Sequence, residues 1–393
     1  MPQAAPWKEV GEAKAMKAEA HTRNSESGSP AGGWPSVGII GGYPPPYGGI
    51  SVHVERLVGR LEKQGVSFVL YNNLSDVDRP PHVVRVSARK WVCALWFAWF
   101  CVRHRCRVVH LLIPNWIQRV LFGALARLRG GRYVVSIHGR SLSLSLAGSR
   151  FRSGLTKWAL RQMDAVVACN PDIERECLEM VGLPREKVHM VPAFIPPDAD
   201  AAAALPADVQ AFIDGHEPLL TAVGWVGQVY EGADLYGIDM MVELVERLAS
   251  DYPGLGLVLS VNGGDADDVE ACVAECRRRV GNRMRLVTES LSDITRLMAG
   301  GDVFVRPSNT DGDSVAVREA LFLGTPVVAS DAVPRPAPSV LFRTRDMDDF
   351  EAKVRESLAS QSELRARVAA TPMADNAAAI ADLYRDLVEG PER

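Results

Sequence analysis

The stretch DVFVRPSNTDGDSVAVREALFLGTPVVASD, residues 302–331, decides the fold. Its apolar VFV predicts a strand, the following polar residues a loop, and residues 314–323 a helix. Gly324 ends that helix, Pro326 follows, and VVA opens a second, buried strand. Gly312, Asp313 and Ser314 lead into the helix, and Val315 and Ala316 fall in its first turn. Backbone N–H groups there lack helical acceptors and the helix dipole favours an anion, so a diphosphate fits that end. Val315 and Glu319 are four residues apart and share a face. A rise of about 1.5 Å per residue puts Glu319 about 6 Å farther along, a reasonable step from a diphosphate to a ribose. Asp311 precedes the helix and falls on the other side, where a sugar would sit.

The same grammar runs outward from this unit. Strands are predicted at 37–40, 67–71, 108–112, 133–137 and 165–168, and again at 219–223, 256–261, 284–287, 302–305 and 326–329. Amphipathic stretches separate them; Ile50, Val54, Leu57, Val58 and Leu61 form one helical face. Alternation of this kind predicts an α/β protein of two doubly wound, Rossmann-like parallel sheets facing across a cleft. Residues 194–215, rich in Pro, Ala and Asp, read as a linker between them. The expected division is a disordered tail over 1–34, an acceptor domain over 35–200 and a donor domain over 201–372. A C-terminal helix over 373–393 is expected to cross back to the first domain.

Two further motifs end strands of the first half. GGYPPPYGGISVHVERL, residues 41–57, places Gly48 and Gly49 before a helix, where they let a backbone approach a ligand. Its spacing is neither the dinucleotide fingerprint nor a phosphate-binding loop with Lys and Ser/Thr. SIHGR, residues 136–140, sets His138 and Gly139 at a strand's carboxyl end, facing a cleft. An imidazole there can bond a sugar hydroxyl or polarise a leaving group.

The chain has 393 residues, a hydrophobic fraction of 47% and a net charge of −4, which excludes general disorder. Between Arg79 and Met163 stand 16 Lys and Arg residues and no Asp or Glu, so the first half suits an anionic partner. No nucleic-acid recognition pattern accompanies that charge. Residues 89–107, RKWVCALWFAWFCVRHRCR, are too short an apolar run to span a bilayer. They read as a core helix or as a peripheral contact with anionic lipid. Seven scattered cysteines and the lack of an apolar signal segment fit a cytoplasmic protein, peripheral at the inner membrane face at most. Cys272 and Cys276 stand one helical turn apart without further metal ligands near them.

Residues 36–390 resemble the retaining glycosyltransferases of family 4, whose fold is called GT-B. The resemblance rests on Gly48–Gly49, His138–Gly139, Val191–Pro192, GDVFVRPS, and two acids eight positions apart, Asp311 and Glu319, followed by EALFLGTPVVASD. It implies sugar transfer, with retention, from a UDP- or GDP-sugar to a glycan, lipid-linked or small-molecule acceptor. It implies that Glu319 binds ribose, Asp311 the transferred sugar, His138 the region near that sugar, and Gly49 the diphosphate. No cofactor is expected. Asp311-Gly312-Asp313 also spells the metal-holding Asp-x-Asp of the other large glycosyltransferase fold, but the helix end already supplies positive potential, so metal independence is expected.

The chain departs from the family at two places. Trp225 stands where an Arg is expected on the diphosphate and Tyr236 where a Lys is expected. Arg306 and then Arg140 are the nearest cations by sequence to replace them. Two other readings share this architecture: a nucleotide-sugar epimerase and an inactive binding subunit.

Overall fold

The structure, a computed structural model, describes residues 37–45, 47–72, 82–86, 100, 106–112, 115–128, 131–197, 204–289, 291 and 294–390. The tail and most of the basic, Trp-rich segment at 89–107 lie outside them. Of that segment Phe100 is buried, with its ring edge-on to Tyr71 and Phe122 at centroid distances of 5.6 Å.

The first sheet holds seven strands: β1 (Val37–Gly41), β2 (Phe68–Asn72), β3 (Val83–Arg85), β4 (Val108–Leu112), β5 (Arg132–Ile137), β6 (Ala165–Ala168) and β7 (Val188–Met190). All pair in parallel, in the order β3-β2-β1-β4-β5-β6-β7. Strands buried on both faces must be apolar throughout, and β1, β4 and β6 are buried along their whole length. The second sheet contains β8 (Leu219–Gly224), β11 (Gly256–Val261), β12 (Met284–Val287), β13 (Val303–Arg306), β14 (Val327–Ser330) and β15 (Val340–Phe342). Its order, β12-β11-β8-β13-β14-β15, is again all parallel. In both sheets the order reverses beside the first strand, which opens a crevice at the carboxyl ends. Between β8 and β11 a short hairpin, β9 (Val229–Tyr230) and β10 (Ala233–Asp234), projects from the second sheet.

Helices cover both sheets. Those used below are α1 (Gly49–Lys63), α2 (Trp116–Leu128), α3 (Ser141–Leu146), α4 (Arg150–Gln162), α5 (Pro171–Arg175) and α6 (Ala207–Asp214). In the second half they are α7 (Ile238–Leu248), α8 (Ala266–Val280), α9 (Thr295–Ala299), α10 (Val315–Phe322), α11 (Met347–Ala359) and α12 (Gln361–Ala369). The last, α13 (Asn376–Glu389), leaves the second sheet and buries Ala377, Ile380, Leu383 and Tyr384 in the core under β1 and α1. There the Tyr384 hydroxyl meets His110 Nδ1 at 2.5 Å, and His110 Nε2 meets Ser136 Oγ at 2.7 Å.

The stretch read as a linker is only partly one. Residues 207–214 form α6, and Val209, Phe212 and Ile213 pack against Leu219, Val258 and Leu297 of the second core. Their i, i+3, i+4 spacing is helical, but the surrounding Pro and Ala obscured it. Residues 191–197 form a strap that runs from β7 along α1. His53 Nδ1–H donates to the Ala193 carbonyl (2.6 Å), Arg56 to that of Ile195 (3.0 Å) and Arg60 to that of Pro196 (3.2 Å). Asn376 donates to the Phe194 carbonyl at 2.7 Å, so the strap is fixed from the last helix as well.

Candidate active site

Two helix ends open onto one cleft. From the first sheet β1 delivers Gly48, the N-cap of α1, whose N–H donates to Ser51 Oγ (2.9 Å). Gly49 is exposed, and a Cβ there would meet nothing within 4 Å, so the loop leaves room for a ligand. From the second sheet β13 delivers α10, capped by Ser314, whose Oγ accepts from Val317 N at 3.4 Å. A cleft of about 420 Å³ lies between them, within the range of small-molecule sites. Gly48, Gly49, Val52 and Arg56 line one wall; Val315, Ala316, Glu319 and Asn262 line the other. Leu291 and Ile294 add an apolar end.

Glu319 is buried and its carboxylate ion-pairs with Arg56 across the cleft. Arg56 sits on the α1 stripe Val52, Arg56, Gly59, Arg60, which lines the cleft beside the core-facing stripe that the sequence revealed. Glu319 therefore has its counter-ion in the other half of the molecule.

Asp311 lies at the carboxyl end of β13. Three guanidinium N–H groups converge on its Oδ2: Arg306 Nε (3.1 Å), Arg306 Nη2 (2.9 Å) and Arg335 Nη1 (3.1 Å). Its Oδ1 accepts from Gly312 N at 3.0 Å. Burial alone would push this carboxyl up, but the two guanidiniums outweigh it and hold the pKa at about 2. Arg306 also donates to the Val223 carbonyl (2.9 Å) and lies 4.7 Å from the Tyr236 ring centroid. Tyr236 thus stacks on a cation. Arg335, buried in the Pro-flanked loop after β14, donates in addition to Ser308 Oγ (3.0 Å) and to Ser330 O (3.1 Å) and Oγ (3.2 Å). No local pattern marks Arg335 in the sequence, because its partners are 5 to 27 positions away.

The other carboxylate of the Asp-x-Asp sequence points elsewhere. Asp313 Oδ1 pairs with Arg318 Nε at 2.6 Å and Oδ2 accepts from Ala193 N of the strap at 3.0 Å. Burial raises its pKa, against the pull of Arg318. Both acids are held by guanidiniums rather than converging on one point. Among the described residues no three His, Cys, Asp or Glu side chains group as a metal site. Cys272 and Cys276 are likewise free thiols of α8.

His138 and Gly139 lie outside the residues that line the cleft and meet the loop of Asp311 and Gly312 instead. A Cβ on Gly312 would lie 2.7 Å from Gly139 Cα, so the two loops touch and only glycine fits there. His138 Nδ1 is 3.3 Å from Cys169 Sγ, and its ring centroid is 5.2 Å from that of His53. Burial, together with His53, His110 and Arg119 nearby, pushes its pKa well below the usual imidazole value, so it is neutral at pH 7. Arg140 reaches across to the hairpin, its guanidinium 4.6 Å from the Tyr230 ring centroid. Trp225 lies flat against Gly263, where a Cβ would stand 2.5 Å from the indole.

The sequence profile of Glycosyltransferase Family 4 matches residues 47–199, and that of Glycosyl transferases group 1 matches residues 221–360. No curated protein matches the chain in sequence. Among solved structures, sucrose-phosphate synthase from Thermosynechococcus elongatus superposes with a TM-score of 0.67 at 18% identity, over 89% of this chain and 98% of that one. HepE from Anabaena in complex with UDP-glucose gives 0.63 at 14% identity, over 90% and 96%. The E. coli trehalose-6-phosphate protein bound with UDP-2-fluoro glucose gives 0.62 at 13%, over 91% and 100%. With both halves matched in order and two Rossmann-like sheets facing across the cleft, the chain belongs to the family 4 glycosyltransferases of GT-B fold.

Proposed function

We propose that the enzyme transfers a hexose from a nucleoside diphosphate, with retention, to a hydroxyl of a glycan, lipid-linked or small-molecule acceptor. The observation that carries this reading is the cleft lined by Gly48–Gly49, the amino end of α10 and Glu319, with the loop of Asp311 set against His138–Gly139 through the Gly312–Gly139 contact. In it the ribose bonds Glu319, and the diphosphate lies at the N–H groups of Val315 and Ala316 beside Gly49. The sugar reaches Asp311 Oδ1, the oxygen that no guanidinium occupies. Neutral His138 accepts or donates a hydrogen bond beside that sugar. Arg306 serves the sugar end through Asp311 rather than the phosphates. UDP-glucose or a close analogue is favoured as donor, since two of the similar structures hold such nucleotides.

Departure and attack take place on one face of the sugar. The protein contributes positioning and stabilisation of the charge that grows on the leaving diphosphate. The reaction runs without a divalent metal in this reading, because the helix end and flanking guanidiniums supply the positive potential. The test is a panel of UDP- and GDP-sugars read by thermal shift and then by transfer. A ligand at 100 times its dissociation constant stabilises by about 2.7 kcal/mol. Stabilisation by no nucleotide sugar would refute the reading. Conversion of donor without any acceptor would favour an epimerase.

A further inference from the structure

We infer that the outer face of α2, α3 and α4 is a docking surface for an anionic lipid bilayer, placed beside the sugar end of the cleft. Strands β4, β5 and β6 are sheet neighbours laid down in one direction, and the right-handed crossover rule puts α2 and α4 on the same side of the sheet. The Arg152 guanidinium is 5.4 Å from the Trp116 ring centroid, and a Cβ on Gly123 would stand 2.9 Å from Ala159 Cα. Both pairs have the same sequence offset, so α2 and α4 lie side by side and parallel. Their amino ends therefore share the carboxyl edge of the sheet, where β5 delivers His138 and Arg140.

The solvent face of this layer is apolar. Phe151 is 72% exposed, Leu144 58% and Ile117 50%, and Leu121 and Trp158 continue the two ridges. Large apolar side chains clustered in the open on one layer mark an interaction site. Charge selects the partner: Arg150 is exposed, Arg152 and Lys157 are half-buried between the apolar residues, and α2 to α4 contain no acid. Of the acids that follow these helices, Asp164 pairs with Arg132, Asp172 with Arg175, Glu174 with Arg185 and Glu176 with Ser143, while Glu179 is exposed. Aromatic and aliphatic tips among bases suit an anionic headgroup layer, where each base contributes attraction and each tip buries in the interface. Among the described residues no helix is long and apolar enough to cross a membrane, so the contact is peripheral. The inference deepens the sugar-transfer reading by favouring a lipid-borne acceptor, but the contact itself is measured by binding alone.

The full chain is cosedimented with phosphatidylcholine vesicles and with vesicles of phosphatidylcholine mixed with phosphatidylglycerol. Binding to the mixed vesicles is expected to exceed that to neutral ones by about tenfold and to fall as salt screens the bases. Phe151→Ser with Trp158→Ser should cut it by a further tenfold or so, and Arg150→Glu with Lys157→Glu should abolish the preference for anionic lipid. If the Trp158 variant does not fold, Phe151→Ser alone decides, since that ring packs against little. Equal binding to both vesicle types, no binding, or binding indifferent to both double variants would overturn the inference. So would a dimer in solution that Phe151→Ser dissolves, which would assign the face to a second copy of the chain. Sugar transfer to a soluble acceptor with no vesicle binding would leave the reaction standing and remove only the membrane.

Discussion

Replacing Arg335 by Gln tests the guanidinium clamp on Asp311, and the size of the effect follows from the contacts. Asp311 has its pKa lowered from 3.8 to about 2, and at about 1.4 kcal/mol per unit this favours the folded state by roughly 2 kcal/mol. Arg306 and Arg335 share that effect and also offset the burial cost, so losing Arg335 removes at least about 1 kcal/mol. The variant also strips donors from Ser308 Oγ and from Ser330, which adds about 1–2 kcal/mol. A total of about 2–3 kcal/mol should lower Tm by roughly 5–10 °C for a domain of this size. The carboxyl's folded pKa is depressed, so its contribution is complete above the unfolded value near 3.8 and disappears as pH falls toward 2. Melts followed by circular dichroism should thus show a constant gap between wild type and variant from pH 7 to 5. The gap should narrow below about pH 4 to the hydrogen-bond part alone. A gap that is absent at pH 7, or that stays constant down to pH 3, would refute the clamp.

Asp311→Ala and Glu319→Ala should each cut transfer about ten- to a hundredfold or more while the first sheet stays folded; near-native rates in both would remove α10 from the donor site. Losing such a charge-assisted bond to a sugar hydroxyl costs about 1.5–3 kcal/mol. Arg56→Gln should raise the donor KM about ten- to a hundredfold by leaving Glu319 without its counter-ion. Donor saturation curves decide it, and an unchanged KM would reduce the pair to a closure contact. Transfer should persist in excess chelator, measured by product formation; complete loss reversed by added magnesium would restore a metal to Asp311 and Asp313.

The long strands were legible because a parallel strand covered on both faces is a plain apolar run: 108–112, 165–168, 256–261 and 284–287 match β4, β6, β11 and β12 end to end. The three-residue strands β3, β7 and β15 were not, since each lies at a sheet edge and carries polar or exposed residues. At the site the same division holds. Val315 and Glu319 sit on one helix, so their mutual placement follows from helix geometry, whereas Asp311 in the loop before it is placed by Arg306 and Arg335.

Arg56 and Arg335 required the tertiary structure, and their absence from the sequence reading has one physical cause. A lone Arg on a helix or in a Pro-flanked loop reads as solvated surface until a partner carboxylate is found, because burial of a guanidinium is tolerable only when paired. The partners, Glu319 and Asp311, were already in view as ligand-binding acids, and that view treats each as a charge awaiting substrate. Two acids buried in one domain need cations in any state without substrate. The sequence stretch around them offers Arg306 and Arg318, and Arg318 is taken by Asp313. Glu319 must therefore draw its cation from outside its own unit, and the residue that answers is Arg56 on the opposite wall. Electroneutrality in a low-dielectric cleft thus ties the two halves together at Glu319, and under the proposed ribose contact nucleotide entry has to rearrange that cross-domain pair.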